Sequence, residues 1–119
     1  MIHSVSILPL LCGAIFIIAS LVMLKFPPKN INHLYGYRTP KSMKNIENWR
    51  FAQKYSSYRM LASGVFLMLI SFVFPYLKLT ETQAVSTAII LLVASVIYML
   101  FKTEKALKQF ENQKKNNDT

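Results

Sequence analysis

Acidic side chains are scarce in this sequence: five Asp and Glu stand against fourteen Lys and Arg in 119 residues. Cysteine is rarer still. The single thiol, Cys12, excludes an intrachain disulfide and any metal centre built from several thiolates, and its apolar surroundings read as a packed core position. His3 and His33 stand far apart in the chain, and each reads as a solvated histidine at an interface, not as a metal ligand. Walker, GxGxxG, HExxH and GxSxG patterns are all missing. An enzyme needs acids, bases or nucleophiles that converge. Outside the C-terminal tail the inventory is Glu47, Glu81, the two histidines, Cys12 and the tyrosines. The expectation is therefore no catalysis, no cofactor and no metal.

Charge is also missing from three long stretches. Ser4 to Leu24, Met60 to Leu77 and Ala84 to Phe101 contain no Asp, Glu, Lys, Arg or His, and each is long enough for a helix to cross about 30 Å of hydrocarbon. With 53% apolar residues, the chain is more hydrophobic than soluble domains usually are. Barrel strands would alternate polar and apolar residues, and these runs do not, so helices are the structure that satisfies the backbone in lipid. A cleaved signal peptide is disfavoured for the first run, because its first residues carry no Lys or Arg and no small-x-small site precedes Pro27-Pro28. A lipoprotein reading fails at Leu10-Leu11, which precede Cys12 where small residues belong. With no ionisable residue inside a span, the usual mark of a proton relay or ion pathway is absent.

The net charge of +9 would suggest nucleic acid in a soluble protein. Its distribution has a simpler cause. Lys25, Lys29, Arg38, Lys41, Lys44, Arg50, Lys54 and Arg59 crowd the first long connection against Glu47 alone, while the link between the second and third runs offers Lys78 and Glu81. By the positive-inside rule the connection 25–59 and the tail are cytoplasmic, and the N-terminus and the 78–83 turn are outside. The basic excess then reads as topology plus attraction to anionic membrane lipids, without a nucleic-acid partner.

Along the chain, Pro9 predicts a kink in the first span, and Lys25-Phe26-Pro27-Pro28 ends it, since a residue before proline is pushed out of the helical region. In Leu34-Tyr35-Gly36-Tyr37-Arg38-Thr39-Pro40 the glycine between aromatics predicts a turn. Thr39 is the expected N-cap and Pro40 the first residue of a helix. No breaker follows until Gly64, so an amphipathic helix is expected along the membrane interface, with Met43, Ile46, Trp49, Phe51, Tyr55 and Tyr58 on its apolar side and Trp49 as depth anchor. The short turn after Pro75 makes the second and third spans antiparallel neighbours. The tail begins with helical periodicity at Leu107 and Phe110, then becomes polar, and its end is expected to be disordered.

The residues that remain for function lie in the first connection: Asn32, Tyr35, Gly36, Tyr37, Arg38, Thr39, Pro40, Asn45, Glu47 and Trp49. Arg38 offers a planar, two-pronged donor for a carboxylate or phosphate, and Glu47, isolated among bases, is a natural internal partner for it. The plainer reading is that Arg38 touches phospholipid head groups or caps the loop. Both stay open on the residues alone.

The string Gly36-Tyr37-Arg38-Thr39-Pro40, with Asn32 upstream and Asn45, Glu47, Trp49 and Ala52 downstream, resembles the signature of the SdpI/YfhL family of bacterial membrane proteins. The resemblance implies the three-span module of that family, and immunity to, or sensing of, a secreted antimicrobial peptide toxin, with signalling to a cytoplasmic regulator. Two positions depart from the expected pattern. Gln53 stands where the family is expected to carry Asn, which shifts the reach of the amide, and Ser57 stands where Gly is common.

The expected architecture is an all-α integral membrane protein with three transmembrane helices, at about 4–24, 60–77 and 84–101, and a cytoplasmic interfacial amphipathic helix. Residues 1–104 make a single membrane domain, with the motif loop at 25–59 and a polar tail at 105–119. Its ligand or partner residues are Asn32, Tyr37, Arg38, Thr39, Asn45, Glu47, Trp49 and Gln53. The rival classes are a small membrane enzyme or lipid-binding protein using the Arg38 and Glu47 loop, and a transporter. The transporter requires a homo-oligomer, because three spans enclose little space.

Overall fold

The computed structural model describes residues 4–117, so His3 and the last two residues of the tail lie outside it. Helix α1 is Ser4–Lys25, α2 is Ile46–Val73, and α3 is Glu81–Asn117, with a 3₁₀ turn at Phe74–Leu77 between the last two. No strand occurs among the described residues. All three helices are long and apolar enough to cross a membrane, as the three charge-free runs predict.

Helix α1 runs through Pro9 to Lys25, and Phe26 makes the last helical bond, to the Val22 carbonyl at 2.7 Å, before the proline pair stops the chain. It packs mainly against α2 and less against α3. Gly13 and Gly64 make that seam. A Cβ on Gly13 would sit 2.7 Å from the Gly64 carbonyl oxygen, and one on Gly64 would sit 2.8 Å from the Gly13 carbonyl oxygen. The two backbones therefore approach where no side chain fits, the packing that membrane helices use in place of a hydrophobic drive. Ile15, Ile18, Leu69 and Phe72 point outward and are exposed, as expected for surfaces that lipid covers.

At the end away from the long loop, Phe74, Ala84 and Ala88 form a small core with Leu8, Ile70, Leu79 and Leu91 around it. Lys78 closes the turn in the left-handed region at φ 53°. Thr80 and Gln83 then cap α3 reciprocally: the Gln83 amide donates to Thr80 Oγ1 at 3.2 Å, and the Thr80 amide donates to Gln83 Oε1 at 3.1 Å.

Helices α2 and α3 have 28 and 37 residues, about 42 and 56 Å at 1.5 Å per residue, longer than a bilayer core of about 30 Å. Their surplus lies at the end where α1 stops. The loop 26–45 folds over that end and against both helices, forming a head.

Three expectations change here. The N-cap of α2 is Asn45, whose Oδ1 accepts the Asn48 amide at 2.8 Å. Thr39 instead caps one isolated turn: the Ser42 amide donates to Thr39 Oγ1 at 3.1 Å, and the Thr39 amide donates to Ser42 Oγ at 2.8 Å. Asn48 then ties that turn down by donating to the Lys41 carbonyl at 3.1 Å, so helix geometry restarts at Ile46. Consequently no separate interfacial helix precedes α2 among the described residues, and residues 46–57 are its first three turns. Finally, α3 shows no break near residue 104, and the polar stretch expected to be disordered is helical to Asn117.

Candidate functional site: a docked loop at the head of the bundle

The loop is shaped first by its own backbone. Asn32 Oδ1 accepts the Leu34 and Tyr35 amides at 2.9 and 2.7 Å, a turn of the kind that Asn side chains make locally. The Tyr35 hydroxyl returns to the Phe26 carbonyl at 2.8 Å. Gly36 follows at φ 106°, where a Cβ would also lie 2.5 Å from Gln53 Oε1 and 2.8 Å from Pro28 Cγ. Only glycine fits both the dihedral and the space.

Two α2 side chains then hold the loop. Gln53, 3% exposed, accepts the Tyr37 amide through Oε1 at 2.6 Å and donates through Nε2 to the Tyr37 carbonyl at 2.7 Å. One primary amide thus satisfies both backbone groups of a buried residue, as a neighbouring strand would. The Gln53 carbonyl takes the Ser57 hydroxyl at 2.6 Å. Trp49 is fully buried, and its indole N–H donates to the Pro28 carbonyl at 2.6 Å. It pins the start of the loop from inside the protein, so the expectation of an interfacial depth anchor is overturned.

Helix α3 supplies the third hold. The Tyr37 and Thr39 hydroxyls both donate to Glu104 Oε2, at 2.8 and 3.0 Å. Burial, reinforced by the Glu104 carboxylate, raises the Tyr37 hydroxyl well above the usual tyrosine range. Tyr37, Ala52 and Leu107 make the apolar centre, flanked by Met99 and by Phe51 stacked on Phe110 with centroids 4.6 Å apart. Further out, Glu111 pairs with Lys44 at 3.1 Å and Lys41 at 3.9 Å, and Lys114 pairs with Glu47. The Lys44 ammonium holds the Glu111 carboxyl below its usual range.

The eight sequence-derived residues thus gather in one head but do different work. Asn32, Tyr37, Thr39, Asn45, Trp49 and Gln53 shape and dock the loop. Arg38 and Glu47 do not pair: Arg38 donates to the His33 carbonyl, and Glu47 turns to Lys114. Arg38 is exposed. Glu104, Glu111 and Lys114 are absent from the sequence-derived set. Their signal is spacing, since 104, 107, 111 and 114 follow the three-and-four step of one helix face. Among the described residues no group of three His, Cys, Asp or Glu is placed to hold a metal ion.

A family model described as the SdpI/YfhL protein family matches residues 29–103, from within the loop to the residue before Glu104. The chain is similar to a protein of Bacillus subtilis (strain 168) named "Uncharacterized protein YfhL", with 35% identity over 96 residues that cover 81% of this chain and 82% of that relative. No solved structure matches it.

Proposed function

Because the chain belongs to the SdpI/YfhL family, we propose that this multi-pass membrane protein confers immunity to, or senses, a secreted antimicrobial peptide toxin, and that its head passes the signal to a cytoplasmic regulator. It works in the bacterial cell membrane with the N-terminus outside and the head inside, by the positive-inside rule. It works without catalysis, by binding.

The observation that carries the reading is how the loop spends its side chains. Tyr37 and Gln53 are buried and consumed in docking. Arg38, between Tyr37 and Thr39, is left exposed with a single contact, to the His33 carbonyl. Leu34, in the same loop, is 93% exposed. An exposed guanidinium on a docked loop that also carries an exposed apolar side chain suits an amphipathic peptide or an acidic partner surface.

The test is expression of the full chain in a sensitive bacterial host, with membrane insertion verified, followed by challenge with a panel of peptide toxins. Survival against at least one toxin is expected. Sensitivity to all of them, equal to that of cells carrying an empty vector, would overturn the reading.

A further inference from the structure

A second feature of the head is lined by Gln53 but by none of Tyr37, Thr39 and Glu104, and is independent of the immunity reading. Where the end of α1 meets α2, a cleft of about 420 Å³ opens, within the size range of small-molecule sites. One wall is Met23 and Leu24, in the last turn of α1. The other is Arg50, Lys54 and Tyr58 of α2, spaced four residues apart and therefore stacked along one face. Lys29 closes the polar end, held there because the preceding residue, Pro28, receives the Trp49 indole.

Charge and apolarity are separated along this cleft. Lys29, Arg50 and Lys54 gather at one end, and no Asp or Glu lines it. None of the three has an ion-pair partner among the described residues, because the nearby acid in sequence, Glu47, is taken by Lys114. Met23, Leu24 and Tyr58 supply its apolar lining, and Leu21, one turn before Leu24 on the same face of α1, is exposed. Three unpaired cations above an apolar wall that continues down a transmembrane helix match an amphiphile lying parallel to that helix. A soluble anion would leave the apolar wall unused.

We propose that this cleft binds an anionic phospholipid, with the phosphate and head group between Lys29, Arg50 and Lys54 and an acyl chain along Met23 and the lower part of α1. Tyr58 sits at the level where a ring with one polar edge is favoured, between head group and hydrocarbon. The lipid bridges α1 and α2 at the base of the docked loop.

The experiment is native mass spectrometry of the full chain released from detergent, with phosphatidylglycerol, phosphatidylcholine and soluble glycerol 3-phosphate as probes. Phosphatidylglycerol is expected to stay bound in clear preference to phosphatidylcholine, which carries the same phosphate without net charge. Each basic residue near a membrane surface is worth about fivefold in affinity, so Arg50→Gln with Lys54→Gln should weaken phosphatidylglycerol binding by about tenfold or more. Lys105→Gln with Lys108→Gln, exposed on α3, should leave it unchanged. Arg50 and Lys54 are exposed too, so the fold should survive their loss, with Trp49 fluorescence as the check. Lys29→Gln supplies an independent weakening from the loop side. Equal retention of the two lipids would overturn the proposal, as would an equal loss in the α3 control. So would displacement of the lipid by glycerol 3-phosphate, which would mark a site for free anions only.

Discussion

The spans and the head of this protein are held together by different physics. In the spans, α1 and α2 meet through two glycines whose backbones nearly touch, and large apolar side chains face outward. No contact there demands a particular partner beyond small size. In the head, buried polar groups are held by specific partners: Gln53 by both backbone groups of Tyr37, Trp49 by Pro28, Tyr37 and Thr39 by Glu104, with the buried Thr103 hydroxyl the one exception among the described residues. A buried polar group left without its partner costs about 1–3 kcal/mol, so the head tolerates few substitutions. The spans supply insertion, and the head supplies the specified surface.

That contrast predicts graded damage. The largest effect belongs to Trp49→Ala, which empties a fully buried site and frees the Pro28 carbonyl. Truncations of this kind cost about 3–5 kcal/mol, and hydrogen exchange across 26–45 should rise strongly while membrane insertion is retained. An equally exchanging loop before mutation would mean that the head is not a unit. Gly36→Ala comes next, forced to a positive φ and into Gln53, a strain of about 1–3 kcal/mol. It should release the loop and leave the exchange of residues 84–101 as it was.

Tyr37→Phe removes one of two donors to Glu104, at about 1.5–3 kcal/mol for a bond to a charged group. It also changes the alkaline profile. The folded Tyr37 hydroxyl titrates above the unfolded value of 10.0, so its contribution is complete below that pH and is lost as pH rises further. Melting temperature should therefore fall less steeply above about pH 10 in Tyr37→Phe than in the wild type. The smallest effect is expected from Glu111→Gln, because its pairs with Lys41 and Lys44 are at the surface and such pairs contribute about 0–1 kcal/mol. Its carboxyl is held below the usual range, so whatever it contributes is present at neutral pH and fades as pH falls into the carboxylate range. Exchange at the end of α3, followed down through the carboxylate range, should show it.

The spans were readable because lipid imposes one coarse demand, a run of residues without charge, and the sequence meets it three times. The end of α1 at Pro27-Pro28 and the turn at Gly36 were readable for a similar reason, since those residues restrict or free the backbone locally. What was not readable depends on competition or on distance. Thr39 and Asn45 both suit a helix start, and the outcome is decided by Asn48, which bonds the Lys41 carbonyl and ends the first turn. Trp49 in a basic stretch beside a membrane suits an interface as well as a core, and only the position of Pro28 selects the core. Glu104 lies 67 residues from Tyr37, too far for any local pattern. Helix α3 continues to Asn117 with Glu111 and Lys114 set against Lys41, Lys44 and Glu47, partners that a polar composition by itself does not reveal.

In the proposed function, the docked loop presents the exposed Arg38 to a peptide or protein partner. The direct measurement is survival of cells challenged with a toxin against which the wild type protects, comparing Arg38→Ala and Arg38→Lys at matched membrane levels. A guanidinium that serves a specific partner does so through a planar fork that an ammonium cannot reproduce. Arg38→Lys should therefore fail nearly as badly as Arg38→Ala, with hydrogen exchange of the loop unchanged in both. Full protection by Arg38→Lys would contradict the claim and reduce the contact to charge alone.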